Sequence, residues 1–253
     1  MLDPAIKAAA DAVLRAVPME LVTLYTRYAL LLNALDVTRK EYESRESVTL
    51  STTMNIPAGL RLPVEPDVQL DRAGLVEAYG EELPVAFCSG FLVDLVSHFD
   101  ARMEDVYEQV LPILEPALSA KDIERKVRSA WTDSGGMPAL RRTFLVDLAL
   151  QAPAGKISTP SMVFDRYEEM RELRHAVMHS GGALTQKHVT KLQALGASVA
   201  AGAPAGASTV STGLVPSGLA VGAKVVVGAG QLLVLRRWAF DSLAYFLNSF
   251  QVS

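Results

Sequence analysis

Apolar residues recur at helical spacing along most of the chain, and the interruptions fall at Pro and Gly. Asp3-Pro4 opens a first helix, with Asp3 as N-cap and Pro4 in the first turn, running to about Ala16. A second starts at Pro18 and carries Leu21, Leu24, Tyr25, Tyr28, Leu31, Leu32 and Leu35; its far end, Arg39 to Glu43, is charged and reads as solvated. From about Ser47 to Pro66 the pattern breaks. Pro57, Pro63 and Pro66 forbid a long helix and Val48 to Thr53 favours one short strand, so residues 47–66 read as an insertion. Pro84 begins the longest helix, reaching about Leu114 with Phe87, Phe91, Leu95, Phe99, Met103, Val106 and Val110 as its stripe; Pro112 is expected to kink or end it. Ser119 caps a helix through Trp131, and Pro138 to Leu150 forms another.

Ser158 or Thr159, followed by Pro160, starts a helix that continues to Ser180, where Gly181-Gly182 stops it. A short helix follows from Thr185 to Leu195. From Gly196 to Gly230 the composition shifts to Gly, Ala, Ser, Thr and Val. An arm over about 196–210 and a small β-hairpin turning near Pro216-Ser217-Gly218 are expected there, since Val221 and Val225 to Val227 favour strand. A final helix runs from Gln231 to Phe250. The expected fold is therefore all-α, one domain over residues 1–253, with a small β-hairpin before the last helix.

Composition narrows the chemistry. Half of the 253 residues are hydrophobic and 21% are charged, enough for a real core. The single cysteine, Cys88, lies in an apolar stretch and reads as a buried small residue; one cysteine makes neither an internal disulfide nor an all-cysteine metal site, which fits a reducing cytoplasm. The N-terminal residues read as a capped helix rather than a secretory signal. The most apolar stretch, about Leu214 to Leu235, contains several glycines, Lys224 and Gln231 and makes a poor membrane span, so no membrane partner is expected. The formal net charge of −4 argues against a broad basic coat for nucleic acid; an RNA partner would need a local cationic site.

Such a site is offered by Arg171-Glu172-Leu173-Arg174-His175-Ala176-Val177-Met178-His179-Ser180-Gly181-Gly182. Histidine exchanges protons near neutrality, and arginine holds a permanent charge on a planar fork that matches phosphate. His175 and His179, four apart, share one helix face; Arg171 sits on the same side as His175 and adds charge. Arg174 and His179 lie roughly 140° apart around the helix. Each has a plain structural alternative: Arg174 pairing with an acid on a neighbouring helix, Arg171 as a surface charge, His175 as a supporting residue, His179 as a helix-end residue.

The order Arg174, His175, three residues, His179, near the end of a late helix and followed by a Gly-rich turn, resembles the motif of the HEPN superfamily of all-α ribonuclease-like domains. The wider plan of helices is similar; the insertion at 47–66 has no counterpart in it. The resemblance implies an endoribonuclease that needs no metal or other cofactor and acts as a homodimer whose motif helices meet in a shared cleft. It implies Arg174, His179 and His175 as catalytic residues, with Arg171 as a substrate contact. It also implies a toxin–antitoxin or anti-phage defence role, with an antitoxin or other regulatory protein as a further partner. The alternative within the same resemblance is a non-catalytic module that binds a partner protein or a nucleotide; outside it stands a plain structural domain.

Other chemistries fit less well. A zincin pair would need Glu where Ala176 follows His175, with His98 or His188 as third ligand. Val225 follows Lys224 where a P-loop needs Ser or Thr, and Phe87 and Phe91 flank Ser89 where a hydrolase elbow needs glycines. The basic residues from Lys121 to Arg128, interleaved with Asp122 and Glu124, read as a solvated face, and Trp131 and Trp238 as core.

Overall fold

Local capping chemistry sets the first helix. The Asp3 carboxylate accepts the Ala5 N–H at 2.8 Å and Pro4 fills the first turn of α1, Pro4–Leu14. In the computed structural model, which describes residues 2–62, 64, 66–132, 136–202, 215 and 218–253, the long α2 follows at Val17–Ser44. Its charged end carries ion pairs one turn apart, such as Lys40 with Asp36 at 2.6 Å.

The insertion is bracketed by a two-stranded antiparallel sheet, β1 at Thr49–Ser51 and β2 at Gln69–Asp71, with Leu50 opposite Leu70. A small hairpin therefore sits here, at the insertion expected to hold one short strand. The expected turn at Pro216-Ser217 lies outside the described residues. Among the described residues that follow, Lys224 forms an isolated bridge with Ala183, while Val225 and Val227 are buried in the core. The β-leaning valines thus meet a distant turn instead of one another.

Helix α3, Arg72–Glu77, passes through a wide turn at Ala78–Glu82 into α4, Leu83–Leu114. The wide turn immediately precedes Pro84, whose ring excludes a normal bond to the carbonyl of Gly80. Pro112 is carried inside α4, which ends two residues later with the Glu115 N–H on Leu111 O at 2.8 Å. The run Arg72–Leu114 is long and apolar enough by composition to span a membrane. Its face bearing Phe91, Leu95, Phe99, Met103, Val106 and Val110 is instead the centre of the core, with α1 and α2 packed against it.

Helix α5 covers Ala120–Arg128, capped by Ser119 as expected. The helix expected over Pro138 to Leu150 is broken: α6 is only Ala139–Arg142, a wide turn covers Thr143–Asp147, and Ala149 has φ of +48°. The turn lets Phe144, Leu148 and Leu150 all enter the core, which offsets the unfavourable backbone at Ala149. Helix α7, Pro160–His179, packs on α4 and on α8, Gln186–Gly202. Residues 196–202, expected to begin the arm, belong to α8; residues 203–210 lie outside the described residues. Helix α9, Ala229–Val252, closes the core against α1, α2 and α4, and Phe144, Phe164, Phe246 and Phe250 pack as neighbouring rings with centroids 5.1–5.9 Å apart.

Candidate active site

Helix α7 is built from an improbable sequence: Asp165, Glu168, Glu169 and Glu172 are all buried. Each is met by a cation. Arg141 from α6 reaches Asp165 and Glu168, both at 2.7 Å; Arg166 pairs with Glu169 at 2.6 Å; Lys191 from α8 pairs with Glu172 at 3.0 Å. Ser198 of α8 also donates to Asp165 at 2.7 Å. Burial pushes the Glu169 carboxyl up, against the pull of Arg166. At the N-terminus the Thr159 hydroxyl caps Met162 N–H, and the Tyr245 hydroxyl donates to Ser158 O at 2.7 Å. These contacts fix α7 in rotation, which decides where its last turn aims.

Arg171 points toward α4. Its Nε donates to Asp100 at 2.8 Å, and its guanidinium lies 4.0 Å from the centre of the Trp131 ring. Tyr167 donates to the same Asp100 oxygen. Burial pushes the Asp100 carboxyl up, opposed first by Arg171 and, more weakly, by Arg174. Arg171 is thus held in a carboxylate and aromatic clamp, while His175, one turn on, meets His188 of α8. Arg174 differs from the other two arginines of α7: its Nε is buried with no hydrogen-bond partner, and it makes no ion pair among the described residues.

His175 and His179 are exposed on the last turn, with ring centroids 4.6 Å apart. Behind them stands His188 of α8, 2% exposed, whose Nε2 lies 2.9 Å from His175 Nδ1. Burial lowers the His175 imidazole below its ordinary value, with His179, His188 and Lys187 acting in the same direction and Glu172 against. The turn beyond His179 uses two left-handed glycines, Gly181 at φ +57° and Gly182 at +82°. It is clamped by a segment far along the chain: Val225 N–H donates to Gly182 O at 2.8 Å, Leu184 N–H to Ala223 O at 2.9 Å, and Gly222 N–H to Leu184 O at 2.8 Å.

Sequence reasoning set His188 beside this pair only as a third ligand for a zinc site, and passed over Glu172, Lys191 and Asp100. Thr185, three residues before His188, gave a capping signal for α8, but nothing in the spacing lays His188 against His175. Three of the four basic residues of α5 are matched locally, Arg125 with Asp122, Arg128 with Glu124 and Lys126 with Glu115. Among the described residues no cluster of three or more His, Cys, Asp or Glu side chains is placed to hold a metal. In comparisons with protein families, with curated proteins and with solved structures, the chain matches none.

Proposed function

We propose that this chain is a metal-independent endoribonuclease that cleaves RNA by attack of its own 2′-OH on the adjacent phosphate, acting as a toxin or anti-phage defence effector. The observation that carries the reading is the pair of exposed imidazoles in contact at the end of α7, with Arg174 next to His175 in sequence and, among the described residues, in no ion pair. In-line attack needs a base for the 2′-OH, an acid for the departing 5′-oxygen and a cation on the phosphate oxygens. His179 exchanges the proton, His175 supports it and Arg174 carries the phosphate charge. The products are a 2′,3′-cyclic phosphate and a free 5′-OH, and DNA, lacking the 2′-OH, is spared. Arg171, spent on Asp100 and Trp131, acts in this reading by supporting the site's electrostatics rather than as a free substrate contact.

Two surface grooves lie elsewhere, one lined by Glu20, Arg27, Asp94 and His98, the other by Arg39, Glu43, Arg72 and Glu81. The motif stands on open surface, and the reading takes the opposite wall of the cleft from a second copy. The test incubates the purified protein, with EDTA, with single-stranded RNA and matched DNA beside Arg174→Ala and His179→Ala. Cleavage of RNA alone, ending in cyclic phosphate and lost by a hundredfold or more in both variants, is expected. An inert, folded wild-type protein on varied RNAs would overturn it in favour of a binding module.

A further inference from the structure

His188 is buried, yet it is not an idle core histidine. Its Nδ1 accepts the N–H of Thr185 at 3.1 Å, and its own backbone N–H returns to the Thr185 hydroxyl at 3.4 Å. A backbone amide can only donate, so Nδ1 must present a lone pair, and the ring proton of a neutral His188 must sit on Nε2. Nε2 faces His175 Nδ1 at 2.9 Å, so the proton is donated there. His175 Nδ1 is then an acceptor, and its proton is on Nε2, the nitrogen turned away from His188. Glu172 Oε1 lies 3.9 Å from His188 Nε2, beyond hydrogen-bond reach, and the other oxygen of that carboxylate is paired with Lys191.

We propose that His188 is a positioning residue that locks His175 as the neutral Nε2–H tautomer, so that His175 serves as a fixed hydrogen-bond donor and His179 alone shuttles the proton. A backbone amide sets the tautomer of one ring, and that ring sets the next. Adding a proton to His175 would place N–H against N–H across the 2.9 Å gap, and His188 cannot turn its Nε2 into an acceptor without breaking its bond from Thr185. The charged groups around His175 divide the same way: His179 on its own helix and His188 and Lys187 on α8 disfavour a second proton, while Glu172, paired with Lys191, favours one. A metal on His188 Nε2 would need the ring proton moved to Nδ1, against the Thr185 N–H that Nδ1 accepts.

The catalytic consequence rests on the ribonuclease reading; the tautomer does not. The first measurement is therefore made on the free protein: long-range proton–nitrogen correlation spectra of the labelled imidazoles, followed through pH. Wild type is expected to show His175 and His188 as neutral Nε2–H rings, with His175 titrating below an exposed histidine. In His188→Leu, which keeps the burial but removes the donor, the His175 midpoint rises and the tautomer preference is lost. In His188→Gln, whose amide N–H can still reach His175, much of the wild-type behaviour returns. RNA cleavage is expected to follow the same order, falling up to roughly a hundredfold in His188→Leu with the acid limb of its pH profile moved upward. An Nδ1–H His175 in wild type, or an unmoved titration in His188→Leu, overturns the proposal whatever the nuclease activity. The expected spectra with no cleavage would instead overturn the ribonuclease reading and leave the lock standing.

Discussion

Replacing Arg141 by Met tests whether α7 is held by buried charge. Arg141 keeps only 11% of its side chain exposed, and its partners Asp165 and Glu168 keep 4% and 8%. It gives one bond to each carboxylate at 2.7 Å and one to the Ser161 hydroxyl at 2.9 Å. Methionine fills similar volume, so the loss is mostly electrostatic. Two carboxylates one turn apart are left buried without their shared cation, and among the described residues only Asp165 retains a donor, Ser198. Breaking a buried pair in this way costs about 3–5 kcal/mol. In a chain of 253 residues each kcal/mol moves Tm by about 2–4 °C, so a fall of about 6–20 °C is expected. Urea unfolding followed by circular dichroism measures the free energy directly. The triple variant Arg141→Met, Asp165→Asn, Glu168→Gln removes the charges together and should recover much of the loss. A single-variant loss under about 1 kcal/mol, or a triple variant worse than the single, would refute the claim that this cluster anchors the helix.

Other outcomes follow from the same geometry. Gly182→Ala puts a side chain at φ +82°, with its Cβ 3.4 Å from Val225 O; it should cost about 1–2 kcal/mol in thermal unfolding and weaken the turn behind His179. Tyr245→Phe removes the bond to Ser158 O and should cost about 1 kcal/mol, seen as faster amide exchange in the first turn of α7. Burial raises the carboxyls of Asp100, Glu104 and Glu169, so the native state holds protons that the unfolded chain has released. Their contribution to stability is present at acid pH and is lost as pH rises through their raised folded values. Asp100→Asn should flatten that decline in the pH dependence of the unfolding free energy; an unchanged slope would show that Asp100 titrates normally.

What was legible in the sequence was local. Asp3, Ser119 and Thr159 announce helix starts because a cap is made by a side chain on its own next turn. His175 and His179 could be placed together because a helix brings residues four apart into contact. The failures were tertiary. Gln69-Leu70-Asp71 carries little strand signal and pairs only because β1 lies opposite. The Gly/Ala/Ser stretch after Leu195 looks like a linker, but Val199 is buried and Ser198 bonds Asp165, which keeps those residues helical in α8. The orientation of Arg171 was decided by Asp100 and Trp131 on other elements, and the partner of His175 by the packing of α8. No spacing rule within α7 contains that information.

The clamp on the turn after His179 bears on when in a protein's life its site is complete. Gly182 and Leu184 are bonded by residues 222–225, which a ribosome adds well after α7 and α8 have been made. Until that segment has left the exit tunnel, the two left-handed glycines have only their local bonds, such as Gly182 N–H to Ala176 O at 3.0 Å, and α9 is not there to seal α4. A nascent chain therefore carries the motif without its final shape.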